Sequence, residues 1–161
     1  MISTFLVEHS WLASVGLLAV LIVGPVLAYL LSKHRRGAWW LAGISVAAVL
    51  VITMYPEGRT VMPGCEVTLP YLSLGAVESV ANVILFVPPV LFGAVASRRP
   101  LVALAGGIVL SALIELLQLA APVFGRSCDT SDLISNAIGA VMGAALAAAG
   151  LRIAASRRRA R

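Results

Sequence analysis

A chain of 161 residues in which 60% of positions are hydrophobic and 12% charged, with a mean hydropathy of +1.00, excludes an ordinary soluble domain and a disordered chain alike. Formal net charge is +5 and the isoelectric point about 10.0, yet the bases gather at the ends of apolar segments rather than along one stripe. The surplus therefore reports membrane topology, and no nucleic-acid partner is expected.

Met1 to Ser10 carries Glu8 and His9 but no Lys or Arg. Trp11 to Leu31 is an uninterrupted apolar run that reaches about 31 Å as a helix at ~1.5 Å per residue, enough to span the hydrocarbon core. Gly24 and Pro25 predict a kink, which a helix in lipid tolerates. A cleaved signal peptide carries its bases before the apolar core; here Lys33, Arg35 and Arg36 follow it, so the run is read as a mature helix. Trp39 to Tyr55 is the second span, with Trp39, Trp40 and Tyr55 as interfacial anchors. The loop from Pro56 to Leu74 is broken by Pro56, Gly58, Pro63, Gly64 and Pro70, which predicts turns or a short dipping segment. Gly75 to Ser97, Leu101 to Ala121 and Asp132 to Leu151 complete five spans; Arg98, Arg99 and Pro100 make a tight turn, and the basic end from Arg152 to Arg161 is expected to fray.

The fold class that follows is all-α, an integral membrane bundle of five transmembrane helices in a multi-pass protein. Five spans put Lys33, Arg35, Arg36, Arg98, Arg99, Arg152, Arg157, Arg158, Arg159 and Arg161 on one side and leave Arg59 and Arg126 on the other. By the positive-inside rule the carboxyl end is cytoplasmic and the amino end outside. Glu8, Glu57, Glu66, Glu78, Glu115, Asp129 and Asp132 then lie outside or in the outer half. Cys65 and Cys128 fall in two loops on that same face, where an oxidising compartment favours a disulfide; two unpaired small residues are the alternative.

The organising stretch runs from Glu115 to Gly143. Ionisable and amide groups at membrane depth are costly unless they face a bundle interior or a wet cavity. Residues three or four apart share a helix face, which pairs Glu78 with Asn82 and Glu115 with Gln118. Asp129, Asp132, Asn136, Gly139 and Gly143 follow steps of three, four, three and four, one continuous stripe. Three helices thus aim polar groups at one place beneath the outer loops. The ligand-binding candidates are Asn82, Glu115, Gln118, Arg126, Asp129, Asp132 and Asn136.

Each has a plainer reading. Asp129 with Thr130 and Ser131 suits a helix N-cap, and Asp132 suits the positive end of a helix dipole. Gly139 and Gly143 suit close helix packing, and Asn82, Gln118 and Asn136 suit interhelical hydrogen bonds. For Glu115 the competing structural role is an ion pair with Arg126. His9 and His34 fall on opposite sides and outside the cluster, so histidine-based chemistry has no base; two cysteines are too few for a cysteine-ligated zinc site. No metal or cofactor is assigned, although Glu115, Asp129 and Asp132 leave a carboxylate-held Mg²⁺ or Ca²⁺ open, a site that would take a phosphate or diphosphate head group.

Asn82, Phe86 and Pro88, then Glu115 and Gln118, then Arg126, Asp129, Asp132, Asn136, Gly139 and Gly143, form a series that resembles the VanZ-like family of small bacterial membrane proteins. Val90 departs from it, standing where the family tends to have glycine. The resemblance covers roughly residues 39 to 150 and divides the chain into an additional N-terminal helix and basic cytoplasmic turn (1–38), a VanZ-like four-helix membrane domain (39–151) and a basic cytoplasmic tail (152–161). The family is named for a member linked to resistance to the lipoglycopeptide teicoplanin, which acts outside the membrane on a lipid-linked wall precursor. The resemblance implies a place in the bacterial cell membrane and an outward-facing polar cavity that binds an envelope lipid head group or an amphiphilic antibiotic. A metal-dependent enzyme acting on a lipid-linked phosphate, and a structural or partner-binding subunit, are the alternatives; neither turnover nor oligomeric state is legible.

Overall fold

The computed structural model describes residues 9, 11–56, 64–70, 76–121, 125 and 127–160. Five helices account for nearly all of them: α1 (Trp11–Leu31), α2 (Arg35–Met54), α3 (Val77–Ser97), α4 (Pro100–Ala120) and α5 (Thr130–Arg159). Each is long and apolar enough to cross a membrane, which fits a multi-pass membrane protein. The remaining regular structure is a parallel pairing of two short strands, β1 (Cys65–Glu66) and β2 (Cys128–Asp129), with Cys65 opposite Cys128 and Glu66 opposite Asp129.

Successive helices alternate in direction, as their end-to-end hydrogen bonds show. Arg35 Nε at the start of α2 donates to the Ala96 carbonyl at the end of α3 (2.7 Å), and Asn82 near the start of α3 donates to Asp132 near the start of α5 (2.6 Å). One end of the bundle therefore carries the β1–β2 pair and the other the turns with Lys33, Arg35, Arg36, Arg98 and Arg99 and the final turns of α5. We call them the clasp end and the basic end. His9 precedes α1 and His34 follows it, so the two histidines lie at opposite ends.

Several boundaries differ from expectation, most by one or two residues. α2 begins at Arg35 rather than Trp39, because the basic turn is held helical by the Arg35 bond to α3 and by Ala38 N donating to His34 O (3.0 Å). The third span begins at Val77 rather than Gly75, residues 71–75 lying outside the described set together with 57–63. At the other end, α5 does not stop at Leu151 and fray. Its 30 residues continue to Arg159, about 45 Å against a hydrocarbon core of ~30 Å. No proline follows, Ala and Arg are strong helix formers, and Arg157, Arg158 and Arg159 suit the negative end of the helix dipole.

α3 is the central rod: half of its spanning window is buried, against 11% for α1. Phe86 is fully buried with Val49 of α2 and Ile114 of α4, while Val87, Leu91, Ala94 and Val95 pack on Ala28 of α1 and Ala147 of α5. Pro88 and Pro89 lie inside α3 and Pro25 inside α1, and none of them ends its helix. The outer helices turn large apolar side chains outward, among them Leu18, Ile22, Trp39, Trp40, Ile44, Leu101 and Leu116, as a lipid-facing surface requires.

α5 meets its neighbours along a stripe of small residues. A Cβ on Gly143 would lie 2.6 Å from the Val87 carbonyl oxygen, and one on Gly139 would collide with the Val83 carbonyl, so the α3 backbone approaches where only glycine leaves room. Further along, Gly150 does the same toward α1, where a Cβ would meet Pro25 O at 2.6 Å and Tyr29 N at 2.9 Å.

Candidate functional site

Polar side chains from three helices converge beneath the clasp end. On α4, Ser111, Glu115 and Gln118 follow steps of four and three and share one buried face, at 0%, 6% and 7% exposure. On α5, Ser135 and Asn136 are 0% and 3% exposed, about 9 Å along the axis from the start of the helix. Asn82 of α3 and Asp132 of α5 are half-buried above them. Glu78, one turn before Asn82, is exposed and stands apart from this group.

Hydrogen bonds stitch the helices together here. Asn136 Nδ2 donates to Ser111 Oγ (3.0 Å), joining α5 to α4, and the Asn82 to Asp132 bond joins α3 to α5. Gln118 Nε2 donates to the Thr53 carbonyl (3.2 Å) in the last turn of α2, where Thr53 Oγ1 in turn donates to Val49 O (2.8 Å). Glu115 Oε2 accepts from the Asp129 backbone N–H (2.9 Å), so the carboxylate of α4 holds the chain at the entry to α5.

Above this layer sits the clasp. Cys65 and Cys128 form a disulfide at the centre of the β1–β2 pairing. Thr68 N–H donates to Thr130 Oγ1 (2.9 Å), which itself donates to Thr68 O (2.7 Å), and Thr68 Oγ1 donates to Asp129 Oδ1. The same Asp129 oxygen accepts from Ser131 N–H (2.8 Å), the N-cap bond of α5. One carboxylate thus both caps the helix and receives the loop laid across it.

The layer is not fully satisfied. Gln118 Oε1, Asn136 Oδ1 and Ser135 Oγ are buried and have no hydrogen-bond partner among the described residues, so each carboxamide has its nitrogen engaged there and its oxygen not. A buried polar atom left unpaired costs about 1–3 kcal/mol, and buried groups in native proteins are paired with few exceptions, so three at one end of the bundle require an explanation. Among the described residues no three of His, Cys, Asp and Glu are grouped to hold a metal ion, and the carboxylates of Glu115, Asp129 and Asp132 already accept hydrogen bonds.

Of the residues singled out from the sequence, Asn82, Glu115, Gln118, Asp129, Asp132 and Asn136 are brought to this end, and Gly139 and Gly143 face the α3 backbone beneath it. Arg126 lies outside the described residues, and the ion pair weighed for it with Glu115 lies outside them as well. Ser111, Ser135, Thr53 and Thr68 take part without having been singled out, and Thr130, read only as part of a helix N-cap, also bonds the loop at Thr68. A signal existed for Ser111, four residues before Glu115 on the same face; none existed for Thr68, whose role depends on a loop-to-loop pairing.

A family model described as VanZ/LLP1 matches residues 49–152, well over half of the chain, from the last turns of α2 almost to the end of the apolar part of α5. No curated protein and no solved structure matches the chain.

Proposed function

The chain belongs to the VanZ/LLP1 family, and from that premise and the geometry of the clasp end we propose that it is a bacterial cell-membrane protein whose polar layer receives the head group of an envelope lipid or of a lipoglycopeptide antibiotic of the teicoplanin type. In this reading the amino end and the clasp lie outside and the carboxyl end lies in the cytoplasm. Supporting that orientation, the described bases Lys33, Arg35, Arg36, Arg98, Arg99, Arg152, Arg157, Arg158 and Arg159 sit at the basic end, and the described acids Glu66, Glu78, Glu115, Asp129 and Asp132 sit at or toward the clasp end.

One observation carries the proposal: three polar atoms of α4 and α5 beneath the clasp are buried with no partner among the described residues. Interhelical stitching alone accounts for the atoms that are bonded and leaves Gln118 Oε1, Asn136 Oδ1 and Ser135 Oγ unexplained. Oxygen acceptors beside Glu115, Asp129 and Asp132 suit a head group rich in hydroxyl, amine or amide donors, as sugars and peptides are. Asn82 supplies a further amide, and Arg126 would add a fork for a phosphate oxygen. Carboxamides fix the orientation of such a group without the desolvation penalty of a charge.

The test uses purified protein in lipid nanodiscs, titrated with a lipid-linked wall precursor or with teicoplanin, alongside growth of a susceptible bacterium expressing each variant. Glu115→Gln and Asn136→Ala are expected to retain monodisperse elution and the disulfide while weakening binding at least tenfold. Variants that elute intact and bind or protect like wild type would sink the proposal, as would wild-type protein that binds neither ligand. A fluorescent reporter at the carboxyl end, active only in the cytoplasm, checks the orientation separately.

A further inference from the structure

At the basic end, between the last turn of α1 and the last turns of α5, Tyr29, Ser32, Lys33, Ala154, Arg157 and Arg158 line a cavity of about 60 Å³. That exceeds the ~10–15 Å³ that a single water needs, so the cavity admits a small polar group. Three of its walls are cations, and every described carboxylate lies toward the opposite end of the bundle. The Arg157 guanidinium stands over the Tyr29 ring, 5.4 Å from its centre, a cation–π contact that holds it at the cavity. Ser32 is 6% exposed. Its carbonyl, one of the acceptors at the end of α1 that would repel an anion, is covered by Arg98 Nη2 (3.4 Å).

Bases in the last turn of a helix complement its dipole and mark the positive side of a membrane protein. Neither role requires three cations to line one cavity. We propose that this cleft binds a phosphate group, with Arg157 and Arg158 on its oxygens and Lys33 as a compact charge. An anionic lipid head group and a soluble phosphate present the same chemistry. None of the six lining residues falls within residues 49–152, so the site belongs to what this chain adds around the family segment, and it stands independently of the clasp-end reading.

Full-length protein in a neutral detergent, titrated with short-chain phosphatidylglycerol, phosphatidylcholine or sodium phosphate, decides the matter by thermal midpoint and by native mass spectrometry. Phosphatidylglycerol is expected to raise the midpoint and remain bound, phosphatidylcholine not. Each of Lys33→Gln, Arg157→Gln and Arg158→Gln should weaken binding about fivefold. Arg36→Gln with Arg99→Gln, exposed at the same end but outside the lining, should leave it within twofold. Inorganic phosphate protecting alone at millimolar concentration would support the site and identify a soluble ligand. Equal weakening by the control pair, equal stabilisation by phosphatidylcholine, or no response of wild-type protein to either phosphate source would overturn it. If an arginine variant fails to fold, Lys33→Gln and the control pair separate the same outcomes.

Discussion

The two ends of this bundle handle polarity in opposite ways. At the clasp end polar groups are buried and cross-linked: Asn82 to Asp132, Asn136 to Ser111, Gln118 to Thr53, Glu115 to the Asp129 amide, with the disulfide above them. At the basic end the charges are exposed, and the bonds that its arginine side chains make, Arg35 to Ala96 and Arg98 to Ser32, run to backbone carbonyls. The difference teaches where the architecture is specified. Buried, short polar side chains have one geometry available and fix helix register; exposed arginines have many and chiefly set orientation.

Substitutions can break or sharpen that contrast, and the largest effect belongs to the α3–α5 seam beneath the clasp. Gly139→Leu would drive a side chain into the Val83 carbonyl, and since backbone cannot yield as a side chain does, a loss of about 3 kcal/mol or more is expected. Gly106→Leu, on an open face of α4 with nothing within 4 Å, is its control and should be nearly neutral in a thermal scan of the solubilised protein. Next, replacing Cys65 and Cys128 by serine removes a link between residues 63 apart, for which about 2–4 kcal/mol is expected, read as the difference in midpoint with and without reductant. Wild-type protein should fall to the level of the variant on reduction, and the variant should not respond. Asn82→Ala deletes a hydrogen bond to a charged acceptor and should lower stability by about 1.5 kcal/mol. The smallest effect is expected at the other end: Arg98→Gln, losing one long bond on an exposed turn, should fall within about 0.5 kcal/mol. An Arg98→Gln loss equal to that of Asn82→Ala would erase the distinction between the two ends.

Most of the helical frame was legible from hydropathy, because a run the length of the bilayer has few alternatives. α1 begins and ends where its apolar run does, at Trp11 and Leu31. Misread boundaries lie where the chain leaves lipid: Arg35 and Arg159 are polar, and helix there depends on capping contacts and propensity rather than on apolar length. The disulfide was legible from two cysteines in loops on one face. Its setting in a parallel strand pair was not, because two-residue strands carry no periodicity and the partners are 63 residues apart. Steps of three and four disclosed the buried faces of α4 and α5, including Glu115, Gln118 and Asn136. Which groups would be paired was beyond that pattern: the Glu115 bond runs to a backbone amide, and backbone donors are the same at every residue. The basic-end cleft was invisible for a related reason, since Tyr29 and Arg157 meet only through tertiary packing.

The position of the disulfide has a consequence for biogenesis. Cys65 precedes the α3–α4 hairpin and Cys128 follows it, so the bond encloses that whole pair of helices. Two spans separate the cysteines, so their loops share a side of the membrane whether the hairpin is inserted or not, and part only when a single one of its helices crosses. The closed bond therefore excludes that half-inserted arrangement and ties the entry of α3 to the exit of α4.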